Sequence, residues 1–444
     1  MDNTVAKKGG GFGFWVCNFA FSLERFSFYS AKWVMTVFIA VAVAKGGLGL
    51  DAKDGAFASA NLVAFTYLAP LFGSVISDRL VGAKYLVPIG MILMGCGYLV
   101  GWKATGMVSI NLMIVLVSIG TGLFKPQTNA ITGRLFADKS KLDAAFSTQY
   151  SMVNVGSFIG TTIIGVIANE QGYRFCFLVC AIIMFVNALW FIFGWRFLGD
   201  AGKRPFKFDD AEKKDAAKEK YENKPLTGIE KKRVWAIILI SAFSTIFWLF
   251  WYLAYLPVYF HWDNPEHMNW MIGSFKIPSA WFDSLNALCC ISMGPLLGIL
   301  WTKDAKRKNG GLSMFKHTSI GMLLLGVSFV IFALTDVVRA GKPASIIWLI
   351  AFGILLSLGE MTFSPLGNSF ISKFAPAKLL SAMMAVWTFS IFIAGKSYGY
   401  VYALTEKLPF AATYFGVAII MIVAGVALWV MDGKLNKLVQ KEED

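Results

Sequence analysis

The chain has 444 residues, of which 57% are hydrophobic and 15% are charged, and its mean hydropathy is +0.60. This composition excludes a water-soluble globular protein, because a soluble core cannot bury so much apolar surface and the apolar runs reach the roughly 20 residues that cross a bilayer. The formal net charge of +14 lies largely in loops that can contact anionic lipid, so it does not indicate nucleic-acid binding.

Twelve apolar runs follow one another along the chain. Each run is continuous and does not alternate with a period of two, which favours transmembrane helices over the strands of a β-barrel. The sequence therefore predicts an all-α membrane protein of twelve transmembrane helices in two six-helix bundles. We place the spans at about 13–44, 55–77, 84–103, 108–133, 143–168, 173–198, 233–258, 277–301, 315–335, 344–370, 380–402 and 410–431.

A polar segment of mixed charge, residues 199–232, separates the two groups of spans. It cannot bury a core, so we interpret it as a cytoplasmic linker between an amino-terminal bundle at 1–198 and a carboxy-terminal bundle with a short tail at 233–444. Basic residues collect in this linker, at both termini and in alternate loops. The positive-inside rule then predicts that both termini are cytoplasmic, in the inner or plasma membrane of the cell.

The six cysteines fall within spans and are predicted to be packing residues. His261 and His267 lie near Asp263 and Glu266 in an outer loop, where either a metal site or, more in keeping with the pattern, an ordinary solvated loop is expected. No Ser-His-Asp set, metal-ligand cluster or phosphate-binding glycine loop is recognised at membrane depth. We therefore expect no enzymatic activity, no bound metal and no cofactor.

The stretch "GSVISDRLVGAK" joins the second and third spans. Gly73 is expected to allow a close helix approach, Asp78 and Arg79 to end the helix, and Gly82 to form the turn. The stretch resembles the loop signature of the major facilitator superfamily. That resemblance implies a gating role for Asp78 and Arg79 at the cytoplasmic helix ends.

Five further stretches resemble the proton-dependent oligopeptide transporter family of that superfamily. They keep their order along the chain and read "LERFSFYS", "TYLAPLFGSVISDRLVGAKY", "GTGLFKPQTNAITGRL", "DAAFSTQYSMVNVGSFIG" and "GEMTFSPLGNSFISKFAPAKLLSAMMAVW". The resemblance implies proton-coupled uptake of di- and tripeptides by alternating access, with the proton as coupling ion and a monomer as sufficient unit.

Two full charges, Glu24 and Arg25, interrupt the first span. A charge near the bilayer centre costs at least about 2.5 kcal/mol and persists where it faces a cavity or a partner. Adjacent residues diverge by about 100° around a helix, so we expect Glu24 and Arg25 not to neutralise each other and to find partners on other spans. By depth, Glu24 is the expected partner of Lys125.

The resemblance also implies roles for individual residues. Arg25, Lys32 and Lys125 would receive a peptide's carboxylate in one half, and Glu360 its amino terminus in the other. Glu24 would bind the coupling proton. Hydrogen bonds to the peptide and a wall against its side chains would come from Tyr67, Asn154, Asn286 and Trp387. The alternatives are a static ion cluster for the charges, helix-to-helix bonds for the two asparagines and plain packing for the tryptophan.

Three positions depart from the family pattern. Phe21 and Tyr252 stand where the family has glutamates, and Phe28 stands where it has a tyrosine. Two further functions therefore remain open: a transporter of the same fold for another small anionic or zwitterionic solute, and an uncoupled facilitator.

Overall fold

A computed structural model describes residues 10–136, 141–205, 225–307 and 311–439. The chain divides into two compact units, residues 1–216 and 217–444. Of the predicted linker, residues 206–224 lie outside the described part of the chain.

The described residues of the first unit form six long helices. Each lies within a few residues of its predicted span, which confirms the helical fold class. They are α1 (Gly11–Ala40), α2 (Ala52–Arg79), α3 (Ala83–Trp102), α4 (Met107–Arg134), α5 (Leu142–Gln171) and α6 (Tyr173–Leu198).

The second unit repeats this pattern, again with six long helices in its described residues. They are α7 (Gly228–Leu253), α8 (Trp281–Ala305), α9 (Met314–Arg339), α10 (Ile347–Phe374), α11 (Leu380–Thr405) and α12 (Phe410–Val439). A short helix, Tyr255–Pro257, and a π-helical turn, Val258–Trp262, extend α7.

Eleven of these helices, with α7 counted through Trp262, are long and apolar enough to cross a membrane. The remaining one is α1, which has 30 residues but carries Glu24, Arg25 and Lys32. Its charges are inside the unit, since all three side chains are buried. The long helix that does not meet this composition criterion is therefore the one that buries three charged side chains in its unit.

Glycines allow close helix contacts in the first unit. A Cβ atom at Gly73 on α2 would collide with the backbone oxygen of Gly122 on α4, and one at Gly156 on α5 would collide with that of Ser22 on α1. Gln127 on α4 donates a hydrogen bond of 2.7 Å to the Gly73 oxygen. The close approach predicted at Gly73 is confirmed, and small residues fix α1 against α5 and α2 against α4.

The segment between α7 and α8 is folded and is not the solvated loop that the sequence suggested. Two-residue strands β1 (Met268–Asn269) and β4 (Ala344–Ser345) pair in parallel, and β2 (Met271–Ile272) pairs antiparallel with β3 (Phe275–Lys276). Two apolar side chains, Trp262 and Met268, are fully buried and hold the segment down. Local composition does not reveal this burial because the covering residues come from distant parts of the chain.

The histidines of this segment stack on each other, and His261 also stacks on Phe410. The His261 ring lies 4.2 Å from that of His267 and 4.3 Å from that of Phe410. Asp263 accepts a hydrogen bond from Ser279 at 3.0 Å, and its burial raises the pKa of its carboxyl. Across the described residues, no group of three or more His, Cys, Asp or Glu side chains is arranged to hold a metal ion.

Candidate functional site

Glu24 and Arg25 form a two-pronged ion pair with each other. Nε of Arg25 lies 2.5 Å from Oε2 of Glu24, and Nη2 lies 2.5 Å from Oε1. The expectation that these neighbours cannot pair was wrong. The 100° divergence applies to the directions in which the side chains leave the helix, whereas both side chains are long enough to bend back, and burial leaves the guanidinium no water as an alternative partner.

Aromatic rings line the cationic side of α1. The Arg25 guanidinium lies 4.5 Å from the centre of the Phe28 ring and 5.5 Å from that of Tyr29. The ammonium of Lys32, two turns beyond Arg25, lies 5.6 Å from the same Tyr29 ring. Tyr29 was not singled out from the sequence, although its position between the two cations, four residues from one and three from the other, was a usable signal.

Lys125 on α4 does not form the expected ion pair with Glu24, because Arg25 already occupies both carboxylate oxygens. Its ammonium lies 5.4 Å from the centre of the Tyr67 ring on α2. Glu24 and Arg25 are close enough to act on it electrostatically. Among the described residues, no carboxylate lies within 4.0 Å of the half-buried Lys125 ammonium.

Asn154 and Phe21, two other positions considered in the sequence, make contacts within the first unit. Asn154 donates its amide hydrogen to the Tyr150 oxygen of its own helix at 3.0 Å. Phe21, which stands where the resembled family has a glutamate, packs edge-on against Phe124 on α4 with ring centres 4.9 Å apart. The α1–α4 contact is therefore apolar at this level, one turn from Glu24.

The second unit brings Asn286 and Glu360 together from α8 and α10. Nδ2 of Asn286 donates to Oε2 of Glu360 at 2.7 Å and to Oγ of Ser357 at 3.1 Å. Glu360 is half-buried. Within the part of the chain that the structure describes, no cation lies within 4.0 Å of its carboxylate. Ser357 was missed by the sequence analysis, although it lies one turn before Glu360 on the same face of α10.

Trp387 on α11 sits over Gly367 on α10, where a Cβ atom would collide with the indole. It also lies parallel to Phe363 at 6.4 Å and borders an apolar cavity that Phe315 and Phe370 help to line. These contacts describe a packed indole. The role of Trp387 as a wall for the substrate's side chains stays a prediction.

Tyr252, the second departure from the family pattern, belongs to an aromatic cluster. Its ring stacks on that of Tyr398 on α11 at 5.4 Å and lies 5.7 Å from that of Trp248. An aromatic surface therefore replaces a carboxylate at this place in the second unit.

The loop between α2 and α3 docks on the end of α6. Helix α2 ends at Arg79 as predicted, and the Asp78 and Arg79 side chains are exposed. A Cβ atom at Gly82 would collide with the Lys203 backbone. The Lys84 ammonium donates to the oxygens of Trp195 and Gly199 at 3.0 and 3.2 Å, where a helix C-terminus favours a cation.

Comparisons with known proteins agree with this architecture. Residues 82–208 and 207–421 match the model of the POT family. The di-/tripeptide transporter of Lactococcus lactis subsp. cremoris is 25% identical over 94% of each chain. The peptide transporter YePEPT of Yersinia enterocolitica is 27% identical over 82% of each chain. A crystal structure of a POT family transporter in complex with thioalcohol conjugated peptide shares the fold, with a TM-score of 0.86, 22% identity, and coverage of 96% of this chain and 98% of that one.

Proposed function

Since the chain belongs to the POT family, we propose that it is a transporter of di- and tripeptides and not an enzyme. Its relatives from Lactococcus and Yersinia carry the names of peptide transporters. The proposal rests on this membership together with two charges that have no opposite partner within the described ranges.

One observation carries most of the weight: each unit holds a half-buried charge, on a side chain that the resemblance assigns to the substrate, with no opposite charge within 4.0 Å among the described residues. In the first unit this charge is the Lys125 ammonium, and in the second it is the Glu360 carboxylate. Removing a charge from water is costly unless a partner compensates it. A short peptide is a zwitterion whose carboxylate and ammonium have the required signs.

Other side chains complete this assignment. Arg25 acts electrostatically on Lys125, Lys32 adds a further positive charge two turns along α1, and the Tyr67 ring lies beside the Lys125 ammonium. Asn154 and Trp387 are assigned to the substrate's backbone and side chains. These roles come from the family resemblance and from the location of the residues in the two bundles.

Uptake would be coupled to protons through Glu24 in an alternating-access cycle. The Glu24–Arg25 pair would represent one state of that cycle. A peptide carboxylate that attracts Arg25 would deprive Glu24 of its partner, and an unpaired buried carboxylate binds a proton more readily. Substrate and proton would then be linked through one guanidinium.

The remaining assignments concern the membrane context. Asp78 and Arg79 would act as gating residues at the cytoplasmic ends of α2 and α3. The protein would work as a monomer in the inner or plasma membrane of the cell, surrounded by lipid and with both termini in the cytoplasm, and with the proton as its only coupling ion.

A second function is favoured by two specific side chains. Phe21 and Tyr252 occupy places where the family has carboxylates, and both are packed against other rings. A carrier with fewer proton-binding groups could be an uncoupled facilitator, or could serve another small anionic or zwitterionic solute.

Uptake of radiolabelled Ala-Ala into proteoliposomes separates these functions. We expect accumulation above equilibrium when the outside is acidic, and only equilibration when the pH is equal on both sides. Equilibration under both conditions would favour the facilitator. No saturable uptake under either condition would refute peptide transport.

A further inference from the structure

Asn286 has no amide hydrogen left for a substrate. A side-chain amide carries two hydrogens, and those of Asn286 point at Oε2 of Glu360 and Oγ of Ser357, at 2.7 and 3.1 Å. The opposite orientation of the amide would place its oxygen against the carboxylate, so the carboxylate itself determines the orientation. Asn286 is therefore engaged by Glu360 before any ligand arrives.

Ser357 fixes the other end of this arrangement. Its side chain is fully buried, and its single hydroxyl hydrogen goes to the Gly353 backbone oxygen at 2.7 Å. A lone pair of the hydroxyl is then free to accept from Asn286. The result is a chain of hydrogen bonds from a helical backbone oxygen, through Ser357 and Asn286, to one oxygen of Glu360.

This series of hydrogen bonds holds Oε2 of Glu360, whereas Oε1 has no hydrogen-bond donor among the described residues. The Cys289 thiol on α8 is the titratable group that interacts electrostatically with Glu360. In the described parts of α7, α9 and α11, which also pack on α10, no charged group acts on this carboxylate. One carboxylate oxygen is thus fixed, and the other meets no competing cation from the part of the chain that the structure describes.

We propose that Ser357 and Asn286 are positioning residues that make Glu360 selective for a free amino terminus. The inference rests on the proposed function and deepens it. A carboxylate held in one rotamer meets an incoming ammonium without reorganisation, whereas a mobile one loses part of the binding energy to ordering. Ser357 acts only through Asn286, because it is buried beyond the reach of a ligand.

The test measures how strongly the full-length protein in lipid nanodiscs prefers Ala-Ala to N-acetyl-Ala-Ala. Ser357→Ala leaves Asn286 with one partner, and we expect the preference to fall by about threefold to tenfold, the loss of one modest hydrogen bond. Asn286→Ala should reduce it further, and Glu360→Gln should abolish it.

Ser328→Ala is the matched control. Ser328 is also fully buried, and its hydroxyl donates to a backbone oxygen of its own helix at 2.7 Å, that of Leu325 on α9. This variant removes the same atom from an equally buried helix, so it should leave the preference unchanged.

A pH profile separates positioning from a general loss of structure. Asn286 donates to the charged form of Glu360, so losing this bond favours the protonated form. In Asn286→Ala, the pH below which Ala-Ala binding declines should therefore move upward, whereas the profile of Ser328→Ala should match wild type. The pH profile of Asn286→Ala tests the inference even if Ser357→Ala does not fold.

Two results would overturn the inference while leaving the proposed function intact. One is an unchanged preference in both Ser357→Ala and Asn286→Ala, and the other is a preference that survives in Glu360→Gln. If the wild type binds neither peptide, the proposed function fails, and the inference fails with it.

Discussion

Glu24→Gln tests whether the buried ion pair of α1 couples protons to transport. The substitution keeps the size of the side chain and one oxygen acceptor but removes the negative charge, so it imitates a permanently protonated Glu24. Both oxygens of Glu24 now contact Arg25 at 2.5 Å, and both side chains are buried. Breaking a buried pair by removing one partner costs about 3–5 kcal/mol. We expect the lower end, about 3 kcal/mol of unfolding free energy, because the glutamine oxygen still accepts from the guanidinium.

The functional assay compares two transport modes in proteoliposomes. Accumulation of labelled Ala-Ala driven by external acid should vanish in Glu24→Gln, because the coupling carboxylate can no longer exchange a proton. Exchange of internal for external Ala-Ala, which requires no net proton movement, should continue. Phe21 and Tyr252 are not carboxylates, so neither can replace Glu24.

Asp51→Asn is the control for losing one carboxylate of an ion pair in the same unit. Asp51 pairs with Lys53 at 2.7 Å, but both side chains are well exposed, and such pairs contribute little. The stability of the Asp51→Asn variant and its accumulation of Ala-Ala should match those of the wild type. Retention of acid-driven accumulation in Glu24→Gln would refute the coupling argument and direct attention to Glu360. A wild type without pH dependence would identify a facilitator.

The other substitutions address recognition and gating. Glu360→Gln should weaken binding of Ala-Ala by about tenfold to a hundredfold, since a charge-assisted hydrogen bond contributes about 1.5–3 kcal/mol, and should hardly affect binding of N-acetyl-Ala-Ala; competition binding measures both. Equal competition by the two peptides in the wild type would contradict the role of Glu360. Lys125→Gln should weaken binding of Ala-Ala about tenfold but spare binding of its carboxy-terminal amide, and thermal unfolding should change little because Lys125 forms no ion pair with any described residue. Asp78→Asn should slow uptake without altering peptide affinity, and unchanged turnover in correctly inserted protein would remove the gating assignment.

The sequence by itself determined the spans and their order. Continuous apolar runs of bilayer length can satisfy their backbone groups in lipid only as helices, so helix positions follow from local composition. The end of α2 at Arg79 and the close approach at Gly73 are equally local, since one depends on where the apolar run stops and the other on a missing Cβ atom.

Only the tertiary structure decided which charges are compensated. Glu24 pairs with its own neighbour and not with Lys125, and Asn286 reaches Glu360 from 74 residues away. The fold of the segment before α8 likewise depends on strand pairing with residues near α10. Side chains of this length can reach several partners, and the choice among them depends on distances of about 1 Å and on the exclusion of water, which spacing along a helix does not encode.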